Sequence, residues 1–302
     1  MSVLAVSPEV AAALATGRPV VALESAITTH GLPPPHHLET ARAMETAVRE
    51  AGAVPATVAI LDGVARVGLS ADQLRRLADH PAREKASVRD LARLVALGGT
   101  AGTTVAATLR IAHRAGIRVM ATGGIGGVHR GAAGDLDISA DLAELVRSPL
   151  VVVCSGIKAV LDVPRTLELL ETLGIPVLGL GTDRLPGFYL RALPHPVPRL
   201  ADPAAAVRLV RAQAAWGWPT GLLLTVPPPA DLALDPAEFE ALLAAALAEA
   251  RRCGVRGPEE TPFLLAQLAS ASGGRTVALN RALAVANARI AGTLAAALAV
   301  AP

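Results

Sequence analysis

Short apolar runs alternate along this chain with longer segments in which apolar residues recur every three or four positions. The runs predict strands at residues 19–25, 56–63, 117–124, 149–156, 175–182 and 220–226. The helical spacing predicts helices at residues 38–52, 70–79, 102–116 and 139–148, and an Ala/Leu-rich helical tail from about residue 236. Such alternation favours a three-layer α/β/α fold around a central mixed, largely parallel sheet. Because no linker interrupts the pattern, we expect residues 1–302 to form a single domain.

The composition narrows the class of protein. Of the 302 residues, 52% are hydrophobic and 18% are charged, which excludes a disordered chain. A net charge of +2 and an aromatic content of 2% predict no nucleic-acid partner. The N-terminus lacks the basic region of a signal peptide, and no apolar run reaches the ~20 residues of a spanning helix, so we expect no membrane partner. The two cysteines, Cys154 and Cys253, suit a reducing compartment, and we expect a cytoplasmic protein.

Lysine and asparagine are scarce in this chain. Only Lys85 and Lys158 among the 28 basic residues are lysines, and Asn280 and Asn287 are the only asparagines. Arginine supplies surface charge as well as lysine does, but only lysine can lose its proton and act as a nucleophile. The two lysines are therefore candidates for chemistry, and the alternative is that both are ordinary surface residues.

Two charged side chains directly follow apolar strands, at the edge where α/β proteins gather their functional groups. Glu24 ends the run VVAL, so we expect partial desolvation to raise its pKa and to suit it to general acid catalysis. Lys158 follows VVVCSGI, and apolar surroundings favour a neutral amine that attacks a carbonyl carbon or C1 of a sugar. The structural alternatives are an ion-paired or helix-capping glutamate and a lysine that extends to solvent from the strand edge.

Two loops carry further candidate binding groups. The run GGIGG at residues 123–127 precedes His129 and Arg130, which favours an anion-binding loop over a simple tight turn. Asp135 and Asp137 are two residues apart and could hold a divalent cation such as Mg²⁺ or Mn²⁺, although this spacing is also common on surfaces.

The remaining candidates are single residues. Lys85 lies in a polar segment that predicts a turn, where it would suit a phosphate as a point charge. Asn280 and Asn287 are seven residues apart and share one helix face; base recognition and helix packing are equally good explanations. Cys154 lies inside a strand and is interpreted as a small hydrophobic residue.

Six distinctive segments follow one another along the chain. They are ALESAITTHGLP, GTTVAAT, ATGGIGGVHRG, DISADLAEL, VVCSGIKAVLD and TPFLLAQ. In this order they resemble the segments of one enzyme family, the pseudouridine-5′-phosphate glycosidases, also called indigoidine synthase A-like proteins. The resemblance extends from about residue 8 to residue 297, almost the whole chain.

The resemblance implies a reaction and a set of roles. The reaction is reversible cleavage of the C–C glycosidic bond of pseudouridine 5′-phosphate into ribose 5-phosphate and uracil. Lys158 is similar to the nucleophile that bonds to ribose C1′, Glu24 to the proton donor for the ring oxygen, and Asp137 to the ligand of a divalent cation, typically Mn²⁺. Further implied substrate contacts are Lys85, Val105, Ser139, Ala140 and Asp141, with His129 on the phosphate side and Asn280 near the base. Members of the family are typically homotrimers.

The implied chemistry agrees with the candidate residues. A C-glycoside has no leaving oxygen to protonate, so the usual pair of carboxylates has little to act on, whereas an amine nucleophile can build an iminium that accepts the electron pair. Departures from the family pattern at Thr100, Leu279, Ala286 and Val226 leave the preferred base open. Two competing hypotheses remain, namely a different lysine-dependent sugar-phosphate lyase or aldolase and a non-catalytic sugar-phosphate-binding protein.

Overall fold

A computed structural model describes residues 3–130, 136–255 and 260–300 of the chain, and this part contains eleven strands. The strands are β1 Leu4–Val6, β2 Val20–Leu23, β3 Val54–Leu61, β4 Val64–Val67, β5 Glu84–Ala86, β6 Ala101–Thr103, β7 Val119–Ala121, β8 Val151–Cys154, β9 Val177–Leu180, β10 Arg199–Leu200 and β11 Leu222–Thr225.

The helices in the described residues alternate with these strands through most of the chain and then follow one another at its end. They are α1 Pro8–Ala15, α2 His36–Glu50, α3 Ala71–Asp79, α4 Leu91–Leu97, α5 Val105–Arg114, α6 Ala140–Arg147, α7 Val163–Thr172, α8 Pro203–Ala215, α9 Pro236–Cys253, α10 Glu260–Ala271 and α11 Arg275–Ala299. A π-helical turn at Ile27–Gly31 and a 3₁₀ turn at Val88–Asp90 complete the regular structure of this part.

The strands form one mixed, largely parallel sheet in the order β1-β4-β3-β2-β7-β8-β11-β9-β10, with β6 joining β5 to β3. Among the described strands, the antiparallel pairs are β3–β4 and β3–β6. Every residue of β2, β8 and β11 is buried, which requires that both faces of the sheet be covered. The predicted α/β architecture is confirmed.

The six predicted strands are all present. Five are one to three residues shorter at each end than the apolar runs suggested, whereas β3 begins two residues earlier and ends two residues earlier. Helix α3 begins with a capping box, in which the Ser70 hydroxyl accepts from the amide of Gln73 and the Gln73 side chain accepts from the amide of Ser70. Two predictions were wrong. The segment around Lys85 is the short strand β5 and not a turn, and the segment 102–104 belongs to β6 and the cap of α5.

Helix α11 covers one face of the central sheet and completes the core there. It packs against α2 and against β2, β7 and β8. Gly292 allows the close approach to α2, since a Cβ there would lie 2.7 Å from that of Ala51. Contrary to the sequence-based expectation, this one helix among those described is long and apolar enough to cross a membrane by length and hydropathy. Its buried face, which includes Leu279, Leu283 and Leu294, belongs here to the core of the fold.

Asn287 on α11 connects that helix to the ends of two strands. Its buried side-chain amide donates to the carbonyl oxygen of Thr122 at 2.9 Å and to the hydroxyl of Ser155 at 3.1 Å. These residues directly follow β7 and β8, so one amide bridges both strands. For Asn287 the structure therefore favours packing over base recognition.

We expect Asn287→Ala to lower the free energy of unfolding by about 1–3 kcal/mol, because a buried carbonyl and a buried hydroxyl lose their partner. Urea titration monitored by circular dichroism measures the change. Thr293→Ala, at an exposed position of the same helix, should stay within about 0.5 kcal/mol of the wild type. Equal losses in the two variants would contradict this assignment.

Candidate active site

A cleft opens where β2, β7 and β8 end, side by side in the sheet. It has two lobes that share Glu24, Lys85 and Lys158 in their walls. The polar lobe, about 300 Å³, is lined further by residues of the loops before α5 and α6 and by His129 and Asp137. The apolar lobe, about 60 Å³, is lined by Ile27, His30, Gly123, Gly124, Phe188, Pro262, Leu265 and Asn280, among others. The candidate residues that follow separate strands thus meet in one place.

Glu24 is buried at the junction of the two lobes, with 8% of its surface exposed. The hydroxyl of Thr122, which follows β7, donates to its carboxylate. Burial raises the pKa of Glu24, and the positive charge of Lys158 and the Thr122 hydrogen bond oppose that rise. The net result is a carboxyl that keeps its proton at higher pH than an exposed glutamate does and can donate it within the cleft.

Lys158 is held in the cleft by its backbone. Its amide donates to the carbonyl of Ile125 at 3.0 Å, and Ile125 and Ile157 form a parallel bridge that extends the pairing of β7 and β8. The side chain lines both lobes, close enough to Glu24 for their charges to interact. The structure therefore places this lysine in the wall of a cavity beside the buried carboxyl.

Lys85 reaches the same cleft from β5. The strand is positioned by parallel pairing with β6, where Lys85 lies opposite Gly102. Partial burial and the neighbouring charge of Lys158 both lower the pKa of Lys85, while Glu24 and Asp141 oppose this. Both lysines of the chain consequently line the cleft that contains the buried Glu24.

Two helix N-termini face the polar lobe. Thr104 caps α5 and Ser139 caps α6, and the first helical residues, Val105 and Ala140, line the lobe. The side chains of Val105 and Ala140 carry no polar group, so each can bind an anion only through its backbone. First-turn amides of a helix lack intrahelical acceptors and carry a partial positive charge, which makes this end of the cleft suitable for a phosphate group.

Asp141 connects the elements that line the polar lobe through hydrogen bonds. One carboxylate oxygen accepts from the amide of Ala106 in the first turn of α5, and the other accepts from the amide of Gly126, each at 2.8 Å. The side chain is buried, and its own amide donates to Ser139 at 3.2 Å. It therefore connects α5, α6 and the glycine-rich turn in a fixed arrangement.

Several amides of the glycine-rich turn are already engaged within the protein. Those of Ile125, Gly126, Val128 and His129 donate to protein acceptors. The turn also needs glycine because of close packing: a Cβ at Gly124 would lie 2.6 Å from the ring of Phe188, and one at Gly126 would lie 2.3 Å from the Ser139 hydroxyl. Close packing thus accounts for these two glycines, and an anion-binding role of the turn stays a prediction.

Three potential metal ligands meet at one side of the polar lobe. His129 Nδ1 lies 3.2 Å from a Glu260 oxygen and 3.7 Å from an Asp137 oxygen, and the three ligand atoms are within 4.8 Å of one another. One imidazole nitrogen and two carboxylates form a donor set that suits Mn²⁺ and related divalent ions. The other predicted carboxylate, Asp135, is outside the described residues.

The match to a family extends over nearly the whole chain. A sequence model of the family described as indigoidine synthase A like protein matches residues 9–297. The chain belongs to this family.

Members of the indigoidine synthase A like family with curated names are similar along their full length. A pseudouridine-5′-phosphate glycosidase of Myxococcus xanthus is 51% identical over 97% of both chains, and one of Herpetosiphon aurantiacus is 48% identical over 99% of both. The relatives are enzymes, and this member of the family is an enzyme too.

Two solved structures share the fold. The prealnumycin C-glycosynthase AlnA, in complex with ribulose 5-phosphate, superposes with a TM-score of 0.91 at 44% identity, covering 99% of this chain and 98% of AlnA. An indigoidine synthase A-like protein of Thermotoga maritima gives 0.90 at 35% identity, covering 99% of this chain and 97% of its own.

Sequence reasoning missed several residues of the site, including Glu260, Phe188 and His30. Glu260 is distant in sequence from His129 and Asp137, and nothing in its local pattern marks a ligand. Phe188 has a left-handed backbone conformation (φ 62°), which sequence does not reveal for a residue other than glycine. His30 could have been found, because it stands six residues after Glu24 in the first segment that resembles the family.

The raised pKa of Glu24 predicts a dependence of stability on pH. The stabilisation by the protonated carboxyl is complete below the ordinary pKa of 4.5 and is lost as the pH rises toward the higher folded-state value. We therefore expect Glu24→Gln, neutral at every pH, to become more stable relative to the wild type as the pH rises above 4.5. Urea titrations over a pH series test this, with Glu171→Gln, an exposed position on α7, as the control that follows the wild type. A constant difference between Glu24→Gln and wild type would contradict it.

Proposed function

We propose that this enzyme reversibly cleaves the C–C glycosidic bond of pseudouridine 5′-phosphate, giving ribose 5-phosphate and uracil through a covalent Lys158–ribose intermediate. The observation that carries the proposal is the convergence of Lys158 and the buried Glu24 between a polar lobe and an apolar lobe. The names of the curated relatives support the reaction, and the pentose phosphate in the AlnA complex supports the substrate class.

The two lobes match the two ends of this substrate. The phosphate binds in the polar lobe, where Lys85, the Ser139 hydroxyl and the backbone amides of Val105 and Ala140 meet it, and His129 lies on the same side. Asp141 contributes by holding the two helix ends in place. The uracil occupies the apolar lobe, where the side-chain amide of the buried Asn280 hydrogen-bonds to the polar edge of the base.

Ring opening is the first chemical step. The amine of Lys158 bonds to C1′ while the C1′–O bond breaks, and the electron pair of that bond goes to the ring oxygen, which takes the proton of Glu24. The nitrogen, once it has returned a proton to the Glu24 carboxylate, has a lone pair that can form the C1′–N double bond when uracil departs. Hydrolysis of this imine by water releases ribose 5-phosphate and restores the lysine.

A divalent cation, Mn²⁺ in our proposal, would be held by Asp137 together with His129 and Glu260. It would supply positive charge that fixes oxygen atoms of the sugar phosphate. The residues around it orient the substrate in the polar lobe.

We also propose that residues 1–302 form one domain, that three copies assemble into a homotrimer and that the enzyme works in the cytoplasm. A continuous apolar cluster from Val10 to Ala295 supports the single domain, and the resemblance to the family supports the trimer. The free thiols of Cys154 and Cys253 suit a reducing compartment. Light scattering on purified protein tests the assembly.

The nucleophile is tested by substitution. We expect Lys158→Ala to reduce uracil release from pseudouridine 5′-phosphate by at least about 10³-fold, and Lys158→Arg to stay equally inactive because arginine does not lose its proton. Borohydride should trap ribose 5-phosphate on the wild type and on neither variant, with folding verified by circular dichroism.

Other outcomes would favour the competing functions. Wild-type turnover by Lys158→Ala would rule out the mechanism. Release of products from other phosphosugars without uracil release would indicate a different lyase or aldolase, and binding without turnover would indicate a sugar-phosphate-binding protein.

The cation site is tested by metal content. We expect purified wild-type protein, dialysed against Mn²⁺, to retain the ion, and Asp137→Asn to lower its affinity by at least about 10-fold because one anionic ligand is lost. Glu260→Gln should weaken binding in the same direction, whereas Glu171→Gln should leave it unchanged. Electron paramagnetic resonance of free Mn²⁺ gives the affinities, and equal values for all four proteins would refute the site.

A further inference from the structure

The proposed function requires a second proton transfer, on the uracil side of the cleft. When the bond between C1′ and the ring carbon of uracil breaks, that ring carbon must finish with a hydrogen in place of the sugar. Glu24 gives its proton to the ring oxygen and takes one back from the Lys158 nitrogen. A separate group beside the uracil would leave Glu24 to this exchange, and the inference below rests on the proposed function.

His30 is placed on that side. It lies in the π-helical turn Ile27–Gly31, which begins three residues after Glu24. Its side chain lines the apolar lobe together with Lys158 and Asn280 and also borders an adjoining cavity of about 430 Å³. The residue is partly exposed, so its ring can exchange protons with water between turnovers.

The hydrogen bonds around His30 determine which nitrogen is basic. The hydroxyl of Thr29 donates its single proton to the carbonyl of Ser25 at 3.2 Å, so it acts as the acceptor toward His30 Nδ1 at 2.8 Å. Nδ1 therefore bears the hydrogen, and the lone pair of the neutral ring is on Nε2. Within residues 3–130, 136–255 and 260–300, no hydrogen bond engages Nε2.

The surrounding charges favour the neutral ring. Partial burial and the positive charges of Lys85 and Arg83 lower the pKa of His30. In the resting enzyme Nε2 is thus a base, and once protonated it is a stronger acid than an ordinary imidazolium. Both properties suit a group that moves a proton to and from carbon.

We infer that Nε2 of His30 carries the proton to and from the uracil ring carbon that bonds to C1′. In cleavage, protonated His30 donates to this carbon, and the C=C electrons of the ring form the new C–H bond. The C1′–C bond then breaks, its electron pair restores the C=C bond, and the Lys158 lone pair forms the C1′–N double bond. In synthesis, neutral His30 removes the same proton after the C–C bond has formed.

The inference is tested by the mass of the protein after exposure to pseudouridine 5′-phosphate. Ring opening does not need His30, so His30→Asn should accumulate an adduct that contains the whole substrate, while uracil release falls by about 10²–10⁴-fold. When ribose 5-phosphate itself is supplied in place of pseudouridine 5′-phosphate, its borohydride trapping on Lys158 should remain at the wild-type level in His30→Asn. His113→Asn, at an exposed position of α5, should match the wild type in each assay.

A second measurement uses D₂O. With ribose 5-phosphate and uracil, the wild type should exchange the ring C–H for deuterium as synthesis and cleavage alternate, and His30→Asn and His30→Gln should not.

Uracil release at the wild-type rate by His30→Asn would overturn the inference, as would loss of ribose 5-phosphate trapping in parallel with activity. If the wild type neither traps ribose 5-phosphate nor releases uracil, the proposed function fails and the role of His30 fails with it.

Discussion

Parallel pairing of β2, β7 and β8 brings three strand ends to one edge of the sheet, and the polar groups that follow these strands share one small cleft. Glu24 lies there with most of its surface removed from water, and its charge would be costly to bury without compensation. Thr122 and the two lysines provide that compensation in part. The cost that remains raises the pKa of the carboxyl, so the same burial that disfavours its charged form suits it to act as an acid.

The backbone around the cleft is held by a few polar side chains that are themselves buried. Asp141 joins two helix ends to the glycine-rich turn, and Asn287 joins the last helix to the ends of β7 and β8. A buried polar group without a hydrogen-bond partner costs free energy. The hydrogen bonds of Asp141 and Asn287 therefore allow only small changes in the distances between the elements that they join. The positions of Lys158 and Glu24 relative to each other follow from these contacts as much as from the sheet.

Six strands, most helices and the strand-end positions of Glu24 and Lys158 could be predicted from the sequence because apolar runs and turn residues are local signals. The short strands β1, β4, β5, β6 and β10 were not predicted, because their pairing depends on non-local contacts. Lys85 lies on a strand that pairs with β6, and β6 itself is three small residues that resemble the start of a helix. The glycine-rich turn has the composition of an anion loop, yet four amides in or beside it donate to protein acceptors up to 38 residues away.

Glu260 is a candidate metal ligand that local sequence patterns could not predict either. It meets His129 and Asp137 only because α10 begins beside the polar lobe, and no spacing rule connects positions separated by more than 120 residues. The resemblance to a family assigned roles to some of the residues that its motifs contain. It assigned none to His30, which lies in the first motif, and it did not identify Phe188, which lies outside the motifs and has a left-handed backbone conformation.

Both asparagines of α11 lie near the cleft. Asn280 lines the apolar lobe, and Asn287 donates a hydrogen bond to the carbonyl of Thr122 at the end of β7. This helix is the last one in the described chain. During synthesis on the ribosome, the sheet and most of its loops emerge before α11, which supplies Asn280 to the wall of the apolar lobe. A nascent chain that still lacks these 25 helical residues therefore has its acid and its amine but an incomplete cleft.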